Sequence, residues 1–511
     1  MLHWSSDIGV MAKAVALGAD RDTSGKCNAA TECWRPSLNG FVQRLKQLHL
    51  LLGVLTGWLL LLIIFSGSLS FYRAELDNLQ LFKLQAEPLY SETTAIRSAA
   101  VAQTFLTQHA SHAMQWYIEL PQPRKPYLTL HWLQPAIAST AAEIDDATTR
   151  HSKNTPSSEG RPQLYQQLLH ATSGEPLSDA RPVQFGSTEH QLGGVFFQLH
   201  YNLLQVFGPF SRSLVAYAAL LWLLLSVAGL LSLRGRWRTL WQIKPSPLNA
   251  ETSQTLRHNQ LALFTLPFAL LFASSGWLTQ MLSDNPAPQR QLYPDQPYQF
   301  YAELFPPSQP FAGERQDHPA PLPDLAAWVA TAEQQFGQPA GKISLTLPGT
   351  AQSTVLITGS AAAQISNQLP NVLVIFENSL WQQQQIASAT AGLTPIAQSR
   401  SVWYGLHQSL YASVGLRFGL FLFGMLCCWM IWLGLQSGLR RQSAVIWPGL
   451  VLPVTTIALQ SFVMGSVLLV LLQLAPTELL FDFTLSQQLF ALILGSGLVL
   501  FVAVPRKQIL L

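Results

Sequence analysis

Four histidines stand at the starts of apolar runs: His49, His200, His258 and His407. Imidazole is a proton carrier and a common metal ligand. An ionisable side chain bordering a membrane-type run is expensive to place, and so points to function. The spacing ties the four together. His49 and His200 lie 151 positions apart, and His258 and His407 lie 149 apart. "HLLLGVLTGWLLLLIIFSG" from His49 aligns without a gap on "HNQLALFTLPFALLFASSG" from His258, so Ser66-Gly67 and Ser275-Gly276 fall at equal offsets. Leu199-His200 likewise matches Leu406-His407, Gly208 matches Gly415, and "LRGR" matches "LRRQ". Chance likeness between apolar stretches would not keep histidine in register. The chain therefore reads as two copies of helix, polar insertion and helix, followed by a hydrophobic hairpin.

The elements that must position these residues follow from composition. Of 511 residues, 49% are apolar and 11% charged, against about a quarter charged in soluble domains. A spanning helix needs about 20 mostly apolar residues. Six segments qualify, and the chain divides into a tail at 1–46 and spans at 47–73, 196–234, 258–282, 406–437, 446–474 and 486–504. Polar insertions occupy 74–195 and 283–405, and short connections 235–257, 438–445, 475–485 and 505–511. The fold class is an α-helical integral membrane protein with six spans and two small α+β external domains. Residues 1–46 lack an apolar core followed by a cleavage site, so the first run is expected to stay as an anchor.

Lys and Arg are retained on the cytoplasmic side, and half of the 30 lie in the tail, the C-terminus and the 234–257 and 437–445 segments. Both termini are then cytoplasmic and both insertions external, which in a bacterium means periplasmic across the inner membrane. The net charge of +3 follows from this bias and requires no nucleic acid. The insertions hold no Cys; Cys27 and Cys33 lie in the tail, and Cys427 and Cys428 in the fourth span, where a packing role suffices.

Antiparallel spans sort the histidines by depth. His49 and His258 start outward-running helices and meet near the cytoplasmic face, while His200 and His407 start inward-running ones and meet near the periplasmic face. Paired imidazoles in a helical bundle suit a planar cofactor held between facing helices, and two of them fill both axial positions of a haem iron. This predicts two haems, with His49, His258, His200 and His407 as the iron ligands, forming an electron path through about 30 Å of hydrocarbon. Arg212 and Arg417 depart from the positive-inside pattern and are candidate partners for haem carboxylates; positive-inside anchoring explains Arg44, Lys46 and Arg257 equally well. Gly53, Gly57, Gly208, Gly415 and Gly419 admit either a flat ring or a neighbouring helix. The competing account is that each histidine merely snorkels or hydrogen-bonds across helices. His109 and His112, at i and i+3 on an external helix, form a further metal or substrate candidate, although surface histidines are mostly inert.

The runs "LHYNLL" at 199–204, "RHNQLAL" at 257–263 and "LHQSLYASVG" at 406–415 resemble the PepSY-associated transmembrane family of bacterial inner-membrane proteins, over about residues 40–440. The resemblance implies a PepSY-type domain in each half, a link to iron acquisition and, in relatives, reduction of ferric siderophores by membrane haems. The first insertion fits with a helix, strands and the "LLHATSGEPLSD" strand-turn element; the second offers "PDLAAWVATAEQQFGQ" as helix and "KISLTLP", "STVLITG" and "NVLVIFE" as strands, without the "TGE" turn. Residues 141–162 read as an excursion between strands. No Walker motif, dinucleotide loop or hydrolase triad is present, so the electron donor must be a cytoplasmic or membrane partner. The expected function is a ferric-siderophore reductase acting on a periplasmic ferric chelate. The alternatives are a PepSY scaffold regulating a periplasmic protein, and an iron or siderophore permease. The permease would need more polar residues at mid-membrane than Ser66, Ser274 and Ser275.

Overall fold

The computed structural model describes residues 35–81, 94–135, 162–183, 192–233, 250–284, 318–360, 369–384 and 395–442, with Leu240, Gln291 and Ile365. The spans expected at 446–474 and 486–504, Cys27, Cys33 and nearly all of 141–162 lie outside the described residues. The first half runs α1 (Arg35–Ser70), α2 (Arg73–Leu81), α3 (Thr94–His109), β1 (Gln115–Glu119), β2 (Leu128–Gln134), β3 (Gln163–Leu169), β4 (Arg181–Val183), α4 (Leu192–Asn202) and α5 (Phe210–Ser232). The second runs α6 (Ala250–Asp284), α7 (Leu325–Phe336), β5 (Ala340–Thr346), β6 (Thr354–Gly359), β7 (Asn371–Glu377), β8 (Leu380–Gln384), α8 (Pro395–Gln408) and α9 (Val414–Gln442).

Helices α1, α5, α6 and α9 are long and apolar enough to cross a membrane, over Gly40–Ser70, Phe210–Ser232, Ser253–Met281 and Val414–Arg440. In lipid every backbone group must be satisfied internally, which selects helices. Their few hydroxyls follow the same rule: Thr56 donates to Leu52 O, Ser66 to Leu62 O, Ser226 to Trp222 O and Ser274 to Leu270 O. The four helices form a ring in which α1 touches α9 and α5, and α6 touches the same two. Small residues set the closest approaches. A side chain at Gly57 would strike Leu435, and one at Gly424 would strike Ser68, so side chains of α1 and α9 seat on each other's glycines.

Two expectations are corrected. The insertions do not form separate modules: their strands make one antiparallel sheet, ordered β4-β3-β2-β1-β5-β6-β7-β8. The seam is β1 against β5, with Gln115 opposite Thr346, Ile118 opposite Ile343 and Glu119 opposite Lys342. Alternation explains the joint. Trp116 and Ile118 of β1, and Ile343 and Leu345 of β5, share one buried core with Ala99 and Leu106 of α3 and Val329 of α7. Leaving either half-sheet alone would expose this apolar face and a bare strand edge. α7 has the capping that its sequence announces, with Asp324 accepting from Ala327 N and Gly337 closing the helix at φ +63°.

The segments 196–234 and 406–437 are also not single helices. α4 ends at Asn202, a 3-10 turn covers Leu203–Gln205, and α5 starts only at Phe210. Gly208 takes φ +58° and Pro209 brings no N–H to continue the ladder. In the second half α8 ends at Gln408, Ser409 takes φ +50°, and α9 begins at Val414. His200 and His407 therefore belong to short helices packed on α1 and α6 respectively, before the spans themselves. The apolar residues Val206, Phe207 and Phe210 hid the break in the sequence.

Candidate metal centres

The bundle brings the four histidines together in two pairs, one at each end. The rings of His49 and His258 have centroids 6.4 Å apart, and those of His200 and His407 lie 5.8 Å apart. Two imidazoles on opposite sides of one metal ion, each with nitrogen about 2 Å from the metal and the ring centre about 1 Å beyond, place their centroids about 6 Å apart. Fourteen residues separate His49 from Ile63 on α1, and fourteen separate His258 from Phe272 on α6. The pairs are thus about 21 Å apart along the helix axes, at 1.5 Å per residue.

Each ring is held in the same way. His49 Nδ1 meets the carbonyl of Leu225 at 3.1 Å, His200 Nδ1 that of Ile63 at 2.8 Å, and His258 Nδ1 that of Met430 at 2.8 Å. A carbonyl only accepts, so Nδ1 carries the proton and Nε2 keeps its lone pair in these three. The fourth has the same tautomer by proton count. His407 Nδ1 lies 3.0 Å from Ser275 Oγ, whose single proton is given to Leu271 O at 2.7 Å, so the hydroxyl accepts from the ring. His407 also hydrogen-bonds the backbone of Phe272. Four residues after each accepting carbonyl stands a glycine: Gly229 after Leu225, Gly67 after Ile63, Gly434 after Met430 and Gly276 after Phe272. A Cβ there would lie 3.3 Å from His49, 2.6 Å from His200, 2.8 Å from His258 and 2.9 Å from His407. Each imidazole presents its Nδ1–Cε1 edge to a bare stretch of helix while a carbonyl one turn earlier fixes its tautomer.

All four of these contacts stay within one half of the chain: α1 to α5, α4 to α1, α6 to α9 and α8 to α6. Only the pairing crosses between halves, so a group held by both histidines of a pair joins the two repeats. Gly67 and Gly276 stood out in the sequence by their equal offsets. Gly229 and Gly434 did not, because their partners lie over 170 residues away; the signal available was that both stand 205 positions apart, as do Leu225 and Met430.

Above His200 and His407 opens a cavity of about 1010 Å³ between the bundle and the sheet. Its wall includes Phe268, Phe272 and Trp222 from the bundle, Arg212 and Arg400 beside the histidine helices, and Arg73, Asp77, Glu119, Arg124 and Lys125 from the sheet side. Arg212 lies there as the sequence suggested, its guanidinium 4.7 Å from the Tyr201 ring centre. Arg417, its counterpart 205 positions on, does not line that wall. It is nearly buried and pairs with Glu75 Oε1 at 3.3 Å, and Arg124 clamps the same carboxylate at 2.7 and 2.9 Å while also capping Phe71 O. Glu75 thereby ties α9 to the β1–β2 turn. Lys125 beside Glu119 holds that carboxyl at about 2, well below the usual carboxylate range, and burial pushes the Tyr127 phenol up to about 12. The exposed side chains of Arg44, Lys46 and Arg257 lie toward the other end.

Among the described residues no three or more His, Cys, Asp or Glu side chains converge as a metal cage. His109 is engaged by its own helix, stacking on Phe105 at 4.1 Å and bonding its carbonyl. Cys427 is buried in the bundle. A search of individually curated proteins finds no match to the chain. The family model of the PepSY-associated TM region matches residues 46–441, a stretch that contains all four histidines and all four glycines, and the chain belongs to that family.

Proposed function

We propose that this multi-pass membrane protein is a transmembrane ferric-chelate reductase, carrying electrons from a cytoplasmic-side donor to a ferric siderophore or similar chelate on the periplasmic, sheet-bearing side. Two b-type haems would be held by His49 with His258 and by His200 with His407. Haem held between paired imidazoles would supply one-electron transfer in preference to oxygen binding. The observation that supports the reading is the fourfold repetition of one device: an imidazole with Nδ1 committed to a carbonyl, Nε2 keeping its lone pair, and a glycine against the ring edge.

The fit rests on residues present. Two imidazoles about 6 Å apart leave a metal's other positions to be filled by the ligand itself, which suits a planar ring bringing four nitrogens of its own. The Nδ1 hydrogen bonds orient the rings and raise the basicity of Nε2. Trp58 and Trp432 meet edge to face at 6.1 Å in the layer between the pairs, and Phe268 and Phe272, stacked at 4.4 Å, give the cavity an apolar wall. The sheet-side cavity gives the acceptor a place beside the His200/His407 pair. Reduction to Fe(II) weakens coordination by hard oxygen donors and frees the iron for uptake by a separate transporter.

The test is reconstitution in liposomes with a reductant trapped on the cytoplasmic side, ferric chelate outside and an impermeant Fe(II) indicator. Fe(II) should form outside only when the protein is present, and replacement of His49 or His407 should abolish it. Equal Fe(II) formation by wild type and the histidine variants would overturn the reading.

A further inference from the structure

Asp77, on α2, lines the cavity wall and is only 5% exposed. Its partners lie on the helix that carries His200. Oδ1 accepts from Gly194 N at 3.1 Å, and the Gly193 N–H bonds the same carboxyl. These are first-turn donors of α4, which have no acceptor within their own helix. A carboxylate there acts as an N-cap and meets the positive end of the helix dipole, here from a different element. The close approach needs glycine: a Cβ at Gly193 would strike Arg73 O, so the start of α4 lies against the start of α2. Arg73 completes the joint, with Nε 3.9 Å from Asp77 Oδ2 and its guanidinium 4.5 Å from the ring centre of Phe197 on α4. His200 follows Gly194 by six residues, about 9 Å along the helix axis, where Ile63 O holds its Nδ1. The second repeat replaces these residues. Pro286 stands at the offset from His258 that Asp77 has from His49, and Arg400-Ser401 stand before His407 where Gly193-Gly194 stand before His200.

We infer that Asp77 is a positioning residue of the His200/His407 centre: by capping α4 from α2 it fixes the helix that presents His200, a ligand under the electron-transfer reading on which this inference rests. An eleven-residue helix is marginal by itself, so its order depends on what holds its ends. Asp77 holds the start of α4, and the bond from His200 to Ile63 O holds the last turn. Loss of an N-cap acceptor weakens a helix about 2- to 30-fold, and a ring on a loosened helix no longer meets His407 at a fixed angle.

The experiment compares the purified full chain with Asp77→Ala, Asp77→Ser and Asp77→Asn. Three quantities are read: hydrogen exchange of the α4 amides, haem per chain, and the low-spin electron paramagnetic resonance signal of each centre, which reports how two axial imidazole planes lie. In Asp77→Ala, exchange along α4 should quicken about 2- to 30-fold. The signal of the His200/His407 centre should shift or disappear, while that of the His49/His258 centre stays. Asp77→Asn should restore all three readouts, because its Oδ1 accepts the same N–H bonds without a charge. Asp77→Ser is the milder variant, with a hydroxyl too short to reach both N–H groups, and should fall between the other two; it carries the comparison if Asp77→Ala does not fold. Coloured Ala and Ser variants that match wild type in all three readouts would overturn the assignment and leave the electron-transfer reading intact. An Asn variant as impaired as Ala, or equal damage to both centres, would also overturn it. A colourless wild-type protein would overturn that reading and this assignment with it.

Discussion

Replacing Gly434 by alanine places a Cβ 2.8 Å from Cε1 and 2.9 Å from Nδ1 of His258. Ordinary carbon contacts begin near 3.4 Å, so the ring must retreat by about half an ångström or more. The Met430 carbonyl holds the ring at 2.8 Å, and metal–ligand distances tolerate about 0.2 Å; the displacement exceeds what the bond length absorbs. Overpacking of this kind costs about 1–3 kcal/mol, or roughly 5- to 150-fold in retention of the bound group. The helix itself does not suffer, because alanine is the better helix former. Gly229 provides the control: its Cβ would lie 3.3 Å from His49, a gap that a few tenths of an ångström relieve. Haem per chain in purified variants should therefore fall to about one in Gly434→Ala and Gly67→Ala, with Gly276→Ala also impaired, and stay near wild type in Gly229→Ala. Full haem content in both Gly434→Ala and Gly67→Ala, or a loss confined to Gly229→Ala, would refute the reasoning.

Replacing His200 or His407 by alanine should remove one haem and leave the absorbance and potential of the His49/His258 centre; equal loss of both signals would contradict separate centres. Glu75→Gln should lower the midpoint of thermal unfolding in detergent, by about 1–3 kcal/mol of stability, because Arg417 loses its carboxylate partner while nearly buried; an unchanged melt would show that this clamp contributes little. Burial holds His131, on β2 in the sheet, down to about 4. The unfolded chain then takes its proton near pH 6.5 and the folded ring only near 4, so stability falls as pH drops through that window and is complete above it. His131→Gln should remove this part of the pH dependence of thermal melts, and an identical pH profile would disprove the assignment.

The histidine pairs were legible because histidine is rare at the border of an apolar run and the duplication kept all four in register. The strands were legible for a similar local reason: "KISLTLP", "STVLITG" and "NVLVIFE" alternate, and each became a strand of the sheet. What the sequence hid is non-local. The β1–β5 seam joins residues more than 220 positions apart, and nothing in "QWYIE" says that its outer edge meets the other repeat instead of solvent. Gly229 and Gly434 look like any helix-packing glycine until the rings they support are placed. The break between α4 and α5 lies in a stretch as apolar as the helices beside it. Arg417 looked equivalent to Arg212, yet Glu75 from α2 claims one and the cavity wall takes the other.

The central claim is that each chain holds two bis-imidazole haems, one at each end of the bundle. The most direct measurement is haem per polypeptide, by pyridine haemochrome on protein purified in detergent from haem-replete cells. The account predicts two b-type haems per chain. Protein that is folded but free of haem would contradict it.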